Sequence, residues 1–534
     1  MKRFYILLLA IAFFSAMTLP SYVQADKSAS DAQAQNRPDV APDEYFVAFK
    51  DSLKEKDKAN VRATGASVNG EFPEVRAVAV KVKNEQQLAA LQRNPRVEYV
   101  EAVPMRYKMG LSTTQLAPTA TNGLYGLITT KSTVVHGRGV TGAGINVGVV
   151  DSSLDYLHPD IQANYRGGID IVDGDSDPIN NDYGDTHGTH VAGTILGVNN
   201  TQGVYGVAYN ANLYHARVLD SEGWGTAKEV MEGVRHLVVV RGCKIINMSL
   251  GGKHKSKTEE NFYKEMRNKG ALVVASAGND SATTVGYPAG YAVNIAVGAV
   301  DKNNVIAYFS NQGSALDVVA PGVGVLSSVP RGQGSESSVT NGSTSYPSFG
   351  MEFAGKTNGT PGITGTLVFC GTGQAGEFPS AVSGNIALLQ TGDIYFSTVV
   401  TNAMNAGATA VIMYHHTVLF LGTLGSATTK DNRAWIPTVS VSPTTGSALK
   451  ANVGTSATVV DEANGWDYED GTSMAAPHTA GVLALIWSAN PGLSNTEVEN
   501  YLFTTATDLG AAGFDTTYGR GIVNADAAVR AAGK

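Results

Sequence analysis

"INVGVVD", residues 145–151, is an apolar run that ends in a single carboxylate. A strand buried on one face alternates polar and apolar side chains; this one does not, so it reads as a strand covered on both faces, as in a parallel sheet. Five further segments repeat the pattern between residues 212 and 322: "NLYHARVL", "CKIINMSLGG", "ALVVASAGN", "NIAVGAV" and "DVVAPG", with helical stretches between them. The expected fold class is α/β, with a mainly parallel sheet between two layers of helices. Ligands of such sheets sit beyond the carboxyl ends of the strands. Asp151, Ser249 to Gly251, and Asn279 all fall where a predicted strand stops, so one crevice can collect them.

The rest of the chain sets the frame. Its 534 residues are too many for one core, and 43% hydrophobic content is that of a globular protein. A net charge of -8, from 47 acidic and 39 basic residues, comes with no long basic run, which argues against a nucleic-acid partner. Residues 1–25 combine Lys2 and Arg3 with a short apolar stretch and small residues at Val23 and Ala25. They read as a secretory signal cut after Ala25, leaving an extracellular protein with no membrane attachment. Cys243 and Cys370 lie in different predicted domains and have no metal-site spacing, so both are read as buried free thiols.

Residues 26–43 read as a polar linker. The segment 44–107 follows with "EYFVAFK", "AVAVKVK", the helical "NEQQLAALQRN" and "VEYVEAV", a small α+β unit. A Thr/Ser/Gly-rich linker at 108–119 is a candidate processing site. The α/β pattern fills 120–334 and returns at 461–534. Between them, 335–460 is rich in Gly, Thr and Ser but carries its own strands, "TGTLVFC", "GNIALLQ" and "ATAVIMYHH", and the helix-like "FSTVVTNAMNAG". A stretch that long is an inserted domain rather than a loop.

"DGTSMAAPHTAGVLALIW", residues 470–487, places Ser473 between a glycine turn and an apolar helix. On position alone Ser473 is a helix cap. Yet Gly471 permits a sharp turn, and Pro477 removes the amide that would bond back to the Ser473 carbonyl. Two other motifs complete a set: "VGVVDSSLDYLHPD" with Asp151 and "THGTHVAGT" with His187. A serine hydroxyl needs a base to take its proton, His187 can serve, and Asp151 can fix the imidazole tautomer. The order Asp, His, Ser matches the subtilisin arrangement and differs from the chymotrypsin and α/β-hydrolase orders. His190, three residues after His187, lacks the four-residue spacing and the Glu of a zinc protease and is taken as structural.

With these motifs the chain resembles the subtilisin-like serine peptidases, the subtilase family. The resemblance implies a three-layer catalytic domain, an inhibitory propeptide at 44–107 and a β-rich protease-associated domain at 335–460; a carbohydrate-binding or generic β insert is the alternative for the last. It implies a secreted serine endopeptidase, made as an autoprocessed zymogen and acting as a monomer on proteins and peptides. Its catalytic residues would be Asp151, His187 and Ser473, with the Asn279 amide and the Ser473 backbone amide stabilising the oxyanion. "EGWG" (Gly223, Trp224, Gly225) and "MSLGG" (Ser249, Leu250, Gly251) match the segments that pair with an extended substrate. Gly286 matches a position in the primary pocket, and Trp224 is expected to make a more remote pocket favour aromatic or aliphatic groups; a turn glycine and a packed aromatic are the plain alternatives. Asp160 and "VNNTQGV" match a structural calcium site formed by Asp160, Val198, Asn200, Gln202 and Val204, against a simple solvated loop. Ser153 departs from the family's usual glycine two residues after the aspartate. The competing functions are an inactive subtilase-like binding protein and, more distantly, a zinc hydrolase on His187 and His190.

Overall fold

The computed structural model describes residues 38–112, 124–179, 185–201, 203–351, 353–357, 361–392, 394–416 and 424–533. The expected signal peptide, the linker up to residue 37, the processing linker from residue 113 and Gln202 lie outside the described residues.

The first layer is an antiparallel sheet of β1 (Val40–Phe49), β2 (Ser67–Phe72), β3 (Ala77–Lys81) and β4 (Val97–Lys108), in the order β4-β1-β3-β2. Alternation along β1 divides its side chains between two cores. Val47 and Phe49 pack with Val61 and Leu91, from the helices Glu55–Ala63 and Glu85–Gln92. Phe46 and Ala48 face the opposite way, toward Val234 and Phe262 of the central body. Phe72 meets Phe262 edge to face at 6.2 Å between centroids, and Arg235 Nε reaches Glu74 at 2.6 Å.

After the short β5 (Leu111–Ser112), the central body supplies β6 (Asn146–Asp151), β7 (Tyr165–Asp170), β8 (Asn212–Arg217), β9 (Trp224–Thr226), β10 (Ile245–Met248), β11 (Leu250–Gly251), β12 (Leu272–Ser276), β13 (Ile295–Val300) and β14 (Val318–Pro321). Seven of these form one sheet in the order β14-β13-β12-β10-β6-β8-β7. Every neighbouring pair in it is parallel. Val147 and Val149 of β6 point into a core shared with the helices His187–Leu196 and Thr472–Ala489. Val150 joins the other core, with the helices Ala227–Arg235 and Lys257–Asn268. Burial on both faces is the physical reason for the unbroken apolar runs. The Thr472–Ala489 helix is buried at every position except Ser488.

β15 (Val325–Ser328) leads into a closed seven-stranded barrel made of β16 (Gly334–Asn341), β17 (Thr344–Gly350), β18 (Ile363–Phe369), β19 (Ile386–Gln390), β20 (Ala410–Tyr414), β21 (Thr438–Ser440) and β22 (Ser456–Asn464). The chain returns through β23 (Trp466–Asp470), which pairs antiparallel with β15 and with β5. Cys243 and Cys370 are buried free thiols; burial raises both, Cys370 to about 12, so each stays protonated at neutral pH.

Glu101 of β4 closes the start of the Lys257–Asn268 helix. It accepts from the Ser256 hydroxyl at 2.8 Å and from the amides of Lys257 and Thr258 at 3.1 and 2.8 Å. A carboxylate at a helix N-terminus satisfies orphan donors and meets the positive end of the dipole. Glu101→Ala is expected to cost about 1 kcal/mol there and to speed hydrogen exchange of the Lys257 and Thr258 amides roughly fivefold. Unchanged exchange would mean that Ser256, which caps Glu259 at 3.1 Å, holds the terminus alone.

Candidate active site

Asp151 ends β6 and is fully buried. Its Oδ1 accepts from the Ser152 amide at 2.8 Å and lies 2.6 Å from His187 Nδ1. His187 opens the His187–Leu196 helix, whose next amide, that of Gly188, donates to the Ser152 hydroxyl at 3.1 Å, so strand end and helix start are tied together. Burial disfavours the charged imidazole, but the Asp151 charge and hydrogen bond outweigh it, and His187 titrates above the ordinary histidine range. With Nδ1 facing Asp151, the neutral ring presents Nε2 as a base. Nε2 is buried without a hydrogen-bond partner. His190 points elsewhere: its Nε2 meets the Val325 carbonyl at 2.9 Å, and burial lowers its pKa.

Ser473 is not the cap of its helix. Gly471 holds that position, and Ser473 lies one residue inside the first turn. Pro477 leaves the Ser473 carbonyl without its helical donor, and the Ser249 hydroxyl takes that place at 2.8 Å. In return the Ser473 hydroxyl donates to the Ser249 carbonyl at 2.9 Å, so it is engaged with Ser249 rather than with His187. Asn279, just beyond β12, accepts through its side-chain oxygen from the Thr472 amide at 3.0 Å and the Thr472 hydroxyl at 2.8 Å. That contact fixes the amide and turns its NH2 outward, where it donates to the Met109 carbonyl at 2.5 Å.

Met109 belongs to the segment that the sequence suggested was a linker; the chain here is instead hydrogen-bonded to the catalytic body, between the end of β4 and β5. β4 runs antiparallel between β9 and β11, with Met105 opposite Thr226, Arg106 opposite Gly225, Tyr107 opposite both Trp224 and Gly251, and Lys108 opposite Leu250. Lys108 N donates to the Gly223 carbonyl at 3.0 Å and Met109 N to the Ser249 carbonyl at 3.2 Å. Gly110 lies flat against the imidazole: a Cβ there would stand 2.6 Å from His187 Cδ2 and 3.1 Å from Nε2. At Gly471, in the positive-φ region, a Cβ would come 2.5 Å from the Met109 oxygen. Both glycines are required by this close approach. Beyond Gly110, β5 pairs with β23, so the chain is gripped on both sides of the Met109–Gly110 bond.

The expected substrate segments 223–225 and 249–251 are therefore both in contact with this strand. A Cβ at Gly286 would meet the carbonyl oxygens of Gly252 and Ala277 at 3.3 and 3.5 Å, and a Cβ at Gly251 would stand 2.9 Å from the Met109 methyl. Trp224 meets Tyr107 edge to face at 5.9 Å, and the adjacent Arg106 is fully buried on Glu259. Sequence reasoning also missed the Ser249 hydroxyl and Thr472, whose roles depend on contacts across more than 190 residues. For Met109–Gly110 the available signal was a glycine directly after the last strand of the N-terminal layer.

Away from this site, the buried Asp160 carboxylate accepts from Asn200 Nδ2 at 3.0 Å, Val204 N at 3.1 Å, Ser328 Oγ at 3.3 Å and Trp466 Nε1 at 2.6 Å. Asp160 and the loop bearing Val198, Asn200 and Val204 are thus brought together. Donors of this kind bind a carboxylate, not a cation. A hard cation fits only if the Asn200 amide turns its oxygen inward to join Asp160 and the loop carbonyls. The Ser153 hydroxyl is buried without a partner, and its amide donates to Asp185 at 3.2 Å.

The Subtilase family profile matches residues 142–360 and 348–521, and the Fervidolysin N-terminal prodomain profile matches residues 26–102. Subtilisin E of Bacillus subtilis (strain 168) is 38% identical over 296 residues, 54% of this chain and 74% of that protein. The crystal structure of the psychrophilic subtilisin-like protease Apa1 from the Antarctic psychrotroph Pseudoalteromonas sp. AS-11 is 31% identical, with a TM-score of 0.56 over 76% of this chain and 96% of its own. Fervidolysin from Fervidobacterium pennivorans shares the fold at 22% identity, with a TM-score of 0.59 over 92% of this chain and 61% of its own. The chain belongs to the subtilase family and is a subtilisin-like serine endopeptidase with an N-terminal prodomain.

Proposed function

We propose that the protein is an exported zymogen that matures by cutting its own Met109–Gly110 bond. The observation that carries this reading is the placement of that bond, with its carbonyl oxygen on Asn279 and its glycine against His187. In this reading the Ser473 hydroxyl turns from the Ser249 carbonyl and attacks the Met109 carbonyl carbon. His187 takes the proton and returns it to the Gly110 nitrogen as the acyl-enzyme forms, while Asp151 stabilises the imidazolium. Asn279 and the Ser473 backbone amide receive the oxyanion. The prodomain, paired through β4, then remains an inhibitor until it is lost, after which β9 and β11 are free for protein substrates. Export rests on residues 1–25; among the described residues no helix is long and apolar enough to cross a membrane.

Purified from its medium, the wild type is expected to begin at Gly110 and to react at Ser473 with a fluorophosphonate. Ser473→Ala should remain full length, with processing reduced by roughly a millionfold. Gly110→Val, whose side chain would collide with His187, should slow maturation at least about a hundredfold while leaving the folded precursor intact. N-terminal sequencing over a time course measures all three, and normal processing of Ser473→Ala in a protease-free host would defeat the reading.

Calcium is proposed as a structural ion, held by Asp160, Asn200 and the carbonyls of Val198, Gln202 and Val204, and serving to clamp the loop rather than to take part in chemistry. Asp160→Ala should lower Tm in any medium, because four donors lose their acceptor. The decisive reading is the calcium response. Saturating calcium should raise wild-type stability by about 2.7 kcal/mol at a hundredfold excess over Kd, and should leave Asp160→Ala unmoved. Equal calcium shifts would place the ion elsewhere.

The barrel is read as the protease-associated insert, selecting among protein substrates. Its two ends are adjacent, since Ser328 of β15 pairs with Trp466 of β23. A short Gly/Ser linker in place of residues 335–460 should therefore close without strain. That variant is expected to keep kcat/KM for small peptide anilides within about tenfold, or about 1.4 kcal/mol, while cleavage of casein changes much more. An equal loss on both substrates would make the barrel a structural support instead.

A further inference from the structure

Arg106 stands four residues before Gly110, and neither it nor its partner Glu259 has any exposed side-chain surface. Its Nε donates to Glu259 Oε1 at 3.2 Å and its Nη2 to Glu259 Oε2, a two-point pairing of the kind only a guanidinium makes. Nη1 donates to the Met105 carbonyl at 2.8 Å and Nη2 also to the His254 carbonyl at 3.2 Å. Arg106 comes from the prodomain, but everything else around Glu259 comes from the catalytic body. The Tyr291 hydroxyl donates to Oε2 at 2.8 Å, the Tyr263 hydroxyl lies 3.4 Å from Oε1, and the helix Lys257–Asn268 fixes the backbone. Gly252 keeps the entrance open, since a Cβ there would stand 3.2 Å from Arg106 Nη1 and 2.6 Å from the Met105 carbonyl oxygen. When the prodomain leaves, the pocket and its carboxylate stay behind.

We infer that Glu259 makes the mature enzyme selective for arginine at the fourth residue before the bond it cuts. The inference deepens the reading that Met109–Gly110 occupies the reaction centre, and rests on it for the register. An aliphatic side chain in this pocket would strand Glu259 in an apolar wall, whereas a guanidinium replaces the water it loses with a paired charge and two hydrogen bonds. Burial disfavours the charge on Arg106, yet the adjacent Glu259 more than offsets this and holds the guanidinium protonated. Selection would therefore come from rejection of neutral side chains as much as from attraction of arginine. Prodomain and substrate would use the same contact, so a protein substrate offering Arg-Xaa-Xaa-Met competes directly with the released prodomain.

The test uses mature enzyme made from the full chain and two internally quenched peptides, Arg-Tyr-Lys-Met-Gly-Leu-Ser and the same sequence beginning with Leu, with cut positions mapped by mass spectrometry. Wild type should show kcat/KM at least about thirtyfold higher for the arginine peptide. In Glu259→Leu the ratio should fall to within about threefold or invert, and the nearly isosteric Glu259→Gln should lie between. N-terminal sequencing of the matured chain reads the register separately. A start at Gly110 with no arginine preference overturns the inference and leaves the processing reading standing. A start elsewhere, with an arginine preference that disappears in Glu259→Leu, overturns the processing reading and leaves the pocket standing. A preference that survives in both Glu259 variants assigns it to another residue and overturns the inference.

Discussion

The Thr472–Ala489 helix has no surface of its own to spare: apart from Ser488 every residue is buried, so its position is set by packing on all sides. That confinement is the constraint on which the site depends. A helix held so tightly presents its first turn at one place, beside the ends of β10 and β12. Pro477 adds a second condition. By removing one amide it leaves the Ser473 carbonyl to be satisfied from outside the helix, and the Ser249 hydroxyl does so. The reciprocal bond from the Ser473 hydroxyl to the Ser249 carbonyl locks β11's neighbourhood to Ser473. Thr472 does the same for Asn279 through two hydrogen bonds. Two distant segments are registered on one helical turn.

The cleft beside that turn is shaped for backbone. β9 and β11 offer main-chain donors and acceptors, and β4 satisfies them as an added strand. Pairing of this kind fixes the position of every peptide unit along the strand, which is why the carbonyl of Met109 and no neighbour reaches Asn279. It also lodges the side chains of β4 and Met109 at separate stations: Met109 beside Gly251, Tyr107 on Trp224 and Arg106 on Glu259. The rest of the prodomain holds this register from a distance, with Glu101 on one helix start, Glu74 on Arg235 and Phe72 on Phe262.

Much of the architecture was legible in the chain because it rests on local pattern. Runs such as "INVGVVD" and "ALVVASAGN" predict strands covered on both faces, and β6 and β12 are such strands. The barrel was legible only in part. β18, β19 and β20 have apolar runs, but β16 and β22 are built from "GSESSVTN" and "SATVVDEAN", whose Ser, Thr and charged residues signal no strand. They are strands because closing a barrel requires partners for the edges of the others, and backbone pairing does not depend on apolar side chains. The helix Lys257–Asn268 fills one of the expected helical stretches, with the apolar stripe of Phe262, Tyr263 and Met266 set among charged residues.

By itself, then, the sequence determined an α/β body with a parallel sheet, its N-terminal α+β layer, the interruption between two halves, and three motifs whose residue types suit acyl transfer. Each of these follows from periodicity or from the chemistry of a side chain, and both are properties of short segments. The tertiary structure alone decided what depends on distance between remote segments. It set Ser473 one step inside its helix rather than at the cap, and turned its hydroxyl to Ser249. It tied residues 108–112 to the catalytic body, through the end of β4, the Met109 amide and β5, instead of leaving them a linker, and put a buried carboxylate, 153 residues away in sequence, beneath Arg106. No pattern in "YKMG" or "KTEEN" announces these contacts, because a hydrogen bond across a cleft belongs to two segments at once and is encoded in neither.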